Sequence, residues 1–163
     1  MDKNLNKFFG IFLYVIISSL IVIFYSCGDD TVSIPESEHL EAEGMVLKDT
    51  TNTVILKYFR GALTPGKDTI KVPNGMNTSI LSVIFLDSNQ AELPPEEDPD
   101  HTLGFETFGS TKFSITKVTG QKWKIFMTGL TPGNDSVKFK VLHEGHADFQ
   151  TIPIPVKIFN IVM

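Results

Sequence analysis

The chain has one cysteine, Cys27, and so no pair from which an intramolecular disulfide could form; its stability has to come from apolar packing. No helical period of useful length occurs after residue 38. No serine sits in a Gly-x-Ser-x-Gly turn and no glycine-rich phosphate loop is present, so neither a hydrolase elbow nor a nucleotide cradle is on offer. Basic residues are outnumbered, 14 Lys and Arg against 19 Asp and Glu, and the resulting net charge of −5 disfavours nucleic acid as a partner. Histidine is scarce as well. The four present, His39, His101, His143 and His146, carry most of what the sequence says about chemistry.

What is there begins with a segment that is not fold. Lys3 and Lys7 precede an apolar run from Phe8 to Tyr25 that ends at Ser26-Cys27 and gives way at once to Gly28-Asp29-Asp30. A basic start, an apolar centre and a small residue before the cut make a secretory signal peptide over 1–26. The run is also long enough to serve as an uncleaved membrane anchor, which leaves the same domain outside the cytoplasm. Losing Asp2, Lys3 and Lys7 would make the mature chain one charge more negative. Residues 27–38, short, polar and containing Pro35, read as a tether, and 39–163 as one folded domain.

From residue 39 onward short apolar or alternating runs recur between turn residues. Met45–Leu47, Val54–Phe59, Thr69–Val72, Ile80–Asp87, Leu103–Phe108, Lys112–Val118, Trp123–Thr128 and Ser136–His143 all read as strands. Thr64-Pro65-Gly66-Lys67 is a turn in which proline presets φ and glycine supplies a positive one. A second Leu-Thr-Pro-Gly at 130–133 repeats that chemistry. Glu92 to Asp100, with three prolines and five acids, cannot be a ladder strand and reads as one long solvated loop, though its acids are of the kind that ligate Ca²⁺. Trp123, Ile125 and Met127 share a face, which makes Trp123 the expected large aromatic of the core. The last stretch, His146 to Ile158, reads as a single strand with its even positions inward; prolines at 153 and 155 place it at a sheet edge. The expected fold is all-β, an antiparallel sandwich of about seven to nine strands.

Three resemblances sharpen this. Phe24-Tyr25-Ser26-Cys27 resembles the lipobox of bacterial lipoproteins, which implies that Cys27 is acylated and that the domain is tethered to a bacterial membrane, the outer membrane favoured. Phe85-Leu86-Asp87, Leu103-Gly104-Phe105 and Phe126-Met127-Thr128-Gly129-Leu130-Thr131-Pro132-Gly133 resemble bacterial immunoglobulin-like domains of the group 2 type, which implies an immunoglobulin-like sandwich. Glu41 to Leu47, His143 to Phe149 and Pro153 to Val156 are similar to a family of exported bacterial proteins of unknown function, which implies no activity.

The chemistry concentrates at His143-Glu144-Gly145-His146. Two histidines three apart with glycine between them, set among strands, are not the helical zinc-protease signature, which needs a spacing of four. A two-residue turn at Glu144-Gly145 makes His143 and His146 directly opposed neighbours, with Cβ atoms roughly 4.5–5.5 Å apart. Both rings are then expected on the core-facing side at the rim, with Asp148 two residues on as ligand or as support for His146. His39 and Glu41 share one face of the first strand, and His101 closes the acidic loop. Imidazoles with carboxylates suit Zn(II) or Cu(II), so His143, His146, Asp148, His39, Glu41 and His101 form the candidate ligand set. The blander alternative is a hairpin whose partly solvated histidines bond the loop backbone and Asp148. The expected function is that of a non-enzymatic, lipid-anchored binding protein of the cell envelope; the alternative is an adhesion or assembly module that contacts an envelope protein or a glycan.

Overall fold

Alternating apolar residues give each segment one face to bury, and the computed structural model, which describes residues 40–94 and 99–161, shows eleven strands and no helix among them. The described residues all fall in one unit, whose boundary lies between Glu38 and His39. The signal and lipobox residues, the tether, His39 and acidic residues 96–98 lie outside the described residues. In chain order the strands are β1 (Gly44–Lys48), β2 (Val54–Phe59), β3 (Ala62–Leu63), β4 (Ile70–Pro73), β5 (Leu81–Leu86), β6 (His101–Glu106), β7 (Phe113–Lys117), β8 (Lys124–Gly129), β9 (Gly133–His143), β10 (His146–Gln150) and β11 (Ile154–Phe159).

One sheet has six strands in the order β3-β2-β1-β5-β8-β7, with β5 central as its apolar run implies. The other has five: β10-β9-β11-β4, with β6 on β9. Between them lies one buried cluster, in which Met45, Leu47, Leu56, Ile125, Met127, Val137, Phe139, Val141 and Ile154 have no solvent exposure. Each side chain of that kind contributes about 1.5–3 kcal/mol when it leaves water. The all-β sandwich expected from periodicity is therefore what the chain forms.

Several details depart from expectation. The strand count is higher because β3 is a two-residue strand after the tight turn at Arg60-Gly61, and because the last stretch is two strands. Its first part continues only to Gln150; Thr151-Ile152-Pro153 breaks the ladder, and the Thr151 hydroxyl accepts the Phe139 amide in its place at 3.1 Å. A bulge lies at Asp148, since Ala147 pairs with Leu142 and Phe149 with Val141. One extra residue reverses the alternation. Phe149 is consequently buried, while Ile152, expected inward, is 37% exposed.

The strand with the prolines is not at an edge either. β11 lies between β9 and β4, and its pairing with β4 is the one parallel strand pair among the described residues. Pro153 falls in the break, and Pro155 precedes the first β4 pair, Val156 with Ile70, so the prolines occupy strand-start positions where a missing donor is tolerated. Trp123 sits just before β8 and is only partly buried, edge-on to Phe85 at 5.2 Å. Phe139 is the largest of the fully buried side chains.

The sheets touch where β4 ends. Asn74 bridges Gly129, and the Gly75 amide donates to the Gly129 carbonyl at 2.9 Å. A Cβ on Gly129 would lie 2.4 Å from the Pro73 carbonyl oxygen, so only glycine permits this approach. Near the same end the Asp135 carboxylate accepts from the Ser110 hydroxyl at 2.5 Å and from the Ser136 amide at 2.8 Å. The Ser110 bond, ahead of the Ser136 amide and the Lys112 charge, holds this carboxyl below its ordinary value.

Two outcomes follow from these contacts. Gly129→Ala is expected to cost about 1–3 kcal/mol in urea unfolding, the range for forced overpacking. For Asp135 the stabilisation is present above the unfolded carboxyl value of about 3.9 and is lost as pH falls through the lower folded one. Asp135→Asn is therefore expected to be less stable than the parent at neutral pH, with the gap closing below about pH 4.

Candidate metal centre

The far end of β9 is where the histidines gather. His143 closes β9, Glu144 and Gly145 form a two-residue turn with φ of 48° and 86°, and His146 opens β10. Two consecutive left-handed residues give the hairpin twist that matches the strands, and glycine takes the second at no steric cost. His143 and His146 are paired across this turn, as the spacing predicts. On the opposite edge of β9, His101 at the start of β6 also pairs with His143. The three histidines thus form one row across three strands.

Burial then separates them. The His101 ring is 1% exposed and the His143 ring 19%, with centroids 4.4 Å apart, whereas His146 is exposed at the outside of the row. Asp148, the bulge residue, joins the inner pair: its Oδ2 accepts from His101 Nε2 at 3.0 Å and stands 3.6 Å from His143 Nδ1. The Asp148 side chain is 5% exposed. The bulge that turns Phe149 into the core is also what delivers this carboxylate.

One donor atom from each of His101, His143 and Asp148 lies within 4.8 Å of the others. Two ligands on a tetrahedral Zn(II) with bonds of roughly 2.0–2.1 Å stand about 3.3 Å apart, so the separations of 3.0 and 3.6 Å straddle that value. A nearly buried carboxylate needs compensating donors or a cation. His101 supplies a donor here, with the His143 ring close by, and a divalent ion would supply the cation.

Of the sequence-derived ligand set, the structure brings together His101, His143 and Asp148. His146 pairs with His143 along the backbone but does not join the cluster. Glu41 is exposed and outside it, and Glu43, two residues on, is ion-paired with Arg60. His39 lies outside the described residues. His101 does not close the acidic loop but opens β6, where alternation with Leu103 and Phe105 sets it on the inward face and buries it.

Compared with known protein families and with curated proteins, the chain matches none. Among solved structures it is similar to the crystal structure of the S-layer protein SbsC domains 4 and 5, at 12% identity and a TM-score of 0.39, over 55% of this chain and 46% of that one. The chain thus spans less than half of that structure, and a likeness of this size assigns no activity.

Removing the shared carboxylate tests whether the three side chains act as a unit. Asp148→Ala, measured by urea unfolding in the presence of a chelator, is expected to lose about 1–3 kcal/mol, because the buried His101 ring then loses this hydrogen bond. His146→Ala is expected to change stability by no more than about 0.5 kcal/mol.

Proposed function

We propose that the protein is a lipid-anchored, extracytoplasmic binding protein of the cell envelope that holds Zn(II) or Cu(II) at the end of its sandwich through His101, His143 and Asp148. The observation that carries this reading is the donor set itself, two imidazoles and one carboxylate converging in a nearly buried corner. Imidazole and carboxylate donors suit Zn(II) and Cu(II) better than the hard-oxygen cations. Three protein ligands leave a fourth position of a tetrahedral ion for water or an incoming group. His143, the most exposed of the three, marks the side from which such a group would enter.

The lipid anchor rests on Phe24-Tyr25-Ser26-Cys27 and the apolar run before it. An immunoglobulin-like sandwich carried on such an anchor supports a role in binding. Imidazole and carboxylate groups ligate a metal only in their unprotonated forms, so affinity is expected to fall at low pH.

Elemental analysis of the full-length protein, purified in detergent without a histidine tag, is expected to show close to one Zn or Cu per chain. A metal at a hundred times its Kd adds about 2.7 kcal/mol, which raises the unfolding midpoint by several degrees. His143→Ala is expected to abolish the gain and His146→Ala to keep it. No bound metal and no shift in the parent would leave the cluster as a hydrogen-bonded brace among β6, β9 and β10, and the protein as an adhesion or assembly module.

A further inference from the structure

The outer face of the six-stranded sheet carries a second constellation that the metal centre does not use. Lys48 pairs with Ser82, and Ser82 with Lys124. Directly opposed residues share a face, so a hydroxyl stands between two lysine stems in a row across β1, β5 and β8. A hollow of about 530 Å³ opens over this row, with Asn52, Ile80 and Gln121 among its walls.

β5 and β8 pair only at Leu81 with Ile125 and Ser82 with Lys124, after which β5 continues to Leu86 paired with β1 on its other edge. The wedge left beside β5 is a second hollow of about 510 Å³, with Phe85, Leu93, Pro94 and Trp123 on its apolar side. Ser82, Ile84, Gln121 and Lys124 line both hollows, which therefore adjoin as one trough. Trp123 is half-buried there, and its ring is set edge-to-face with Phe85.

The charges in the trough are unequal in availability. Glu92 is ion-paired with Lys48 at 2.5 Å. The Asp49 carboxylate is engaged in its own turn, accepting from the Thr51 and Thr53 amides and the Thr51 hydroxyl. Lys124, unlike Lys48, forms no ion pair among the described residues.

We infer that this trough binds an acidic oligosaccharide, a hydroxyl-rich chain bearing carboxylates. Each hollow is of the size that takes a small ligand. Ile84 and the half-buried Trp123, over whose ring Lys122 Nζ stands 5.2 Å from the centroid, offer apolar surface to the C–H faces of sugar rings. Ser82, Asn52 and Gln121 both donate to and accept from hydroxyls, and Lys124 meets a carboxylate. The trough belongs to the sheet opposite the metal centre, so the two readings stand or fall separately.

Trp123 is the chain's one tryptophan, so intrinsic fluorescence reads this wall directly. The full-length protein in detergent, with EDTA present to keep metal out, is titrated with tetragalacturonate and, separately, with neutral cellotetraose. A saturable fluorescence change is expected with the acidic probe, weakened about tenfold or more in Lys124→Gln, the effect of losing one charge-assisted hydrogen bond. If that variant unfolds early, Gln121→Ala on the exposed rim is expected to weaken binding in its place. No saturable response by fluorescence or calorimetry, a response that neither variant moves, or equal binding of cellotetraose would overturn the inference.

Discussion

Strand β9 has to satisfy three neighbours along its length, and most of the five-stranded sheet depends on how it does so. Its first residues, Gly133 to Val137, pair with β11, and its last, Lys138 to His143, pair with β6 on one edge while Lys140 to His143 pair with β10 on the other. Val137, Phe139 and Val141 point inward along it with no exposure, so the strand is also the spine of the core. A strand that carries three ladders and the centre of the packing has little freedom to shift register. That rigidity is what holds His143 in place opposite His101.

The consequences of the bulge at Asp148 run in two directions. Inserting one residue turns Phe149 inward, where its ring meets Phe85 at 5.5 Å and Tyr58 at 6.0 Å, both edge-to-face. The same insertion brings the Asp148 carboxylate up to two imidazoles. A regular strand would have given one or the other, because successive side chains leave opposite faces. Bulges are found where a side chain has to be re-aimed, and here an aromatic contact to the facing sheet holds the re-aimed carboxylate in position. The break at Thr151 then lets the chain resume as β11 on the same edge of β9, with the threonine hydroxyl satisfying the amide that the break exposes.

The two sheets differ in what they show to solvent. The five-stranded sheet gathers His101, His143 and Asp148 at one end, largely buried, around a shared carboxylate. The six-stranded sheet spreads lysine, serine and amide groups over its outer face, beside the wedge that β5 and β8 leave when they part after two pairs. An early divergence of neighbouring strands costs ladder hydrogen bonds, some of which are recovered from outside the pair: the Val83 amide donates to the Trp123 carbonyl and the Leu93 amide to the Phe85 carbonyl. The wedge is thus a braced opening rather than a fault in the sheet.

The sequence by itself determined the all-β class, most strand positions and the paired histidines across a two-residue turn. Periodicity of two, glycine and proline at the turns and the four-residue hairpin core are local signals, and local signals survive in a linear string. Trp123 at the core's margin, β11 between two strands and Asp148 at a bulge were decided elsewhere. Nothing near Pro155 announces that β4 will come alongside one residue later, and nothing in Ala147-Asp148-Phe149 marks an unpaired residue. Likewise His101 and His143 are neighbours only because β6 and β9 pair in one register, over a separation of some forty residues that no local pattern spans. Tertiary structure chose which histidines meet, because the choice depends on which strand lies along each edge of β9, and that is settled by packing of the whole core.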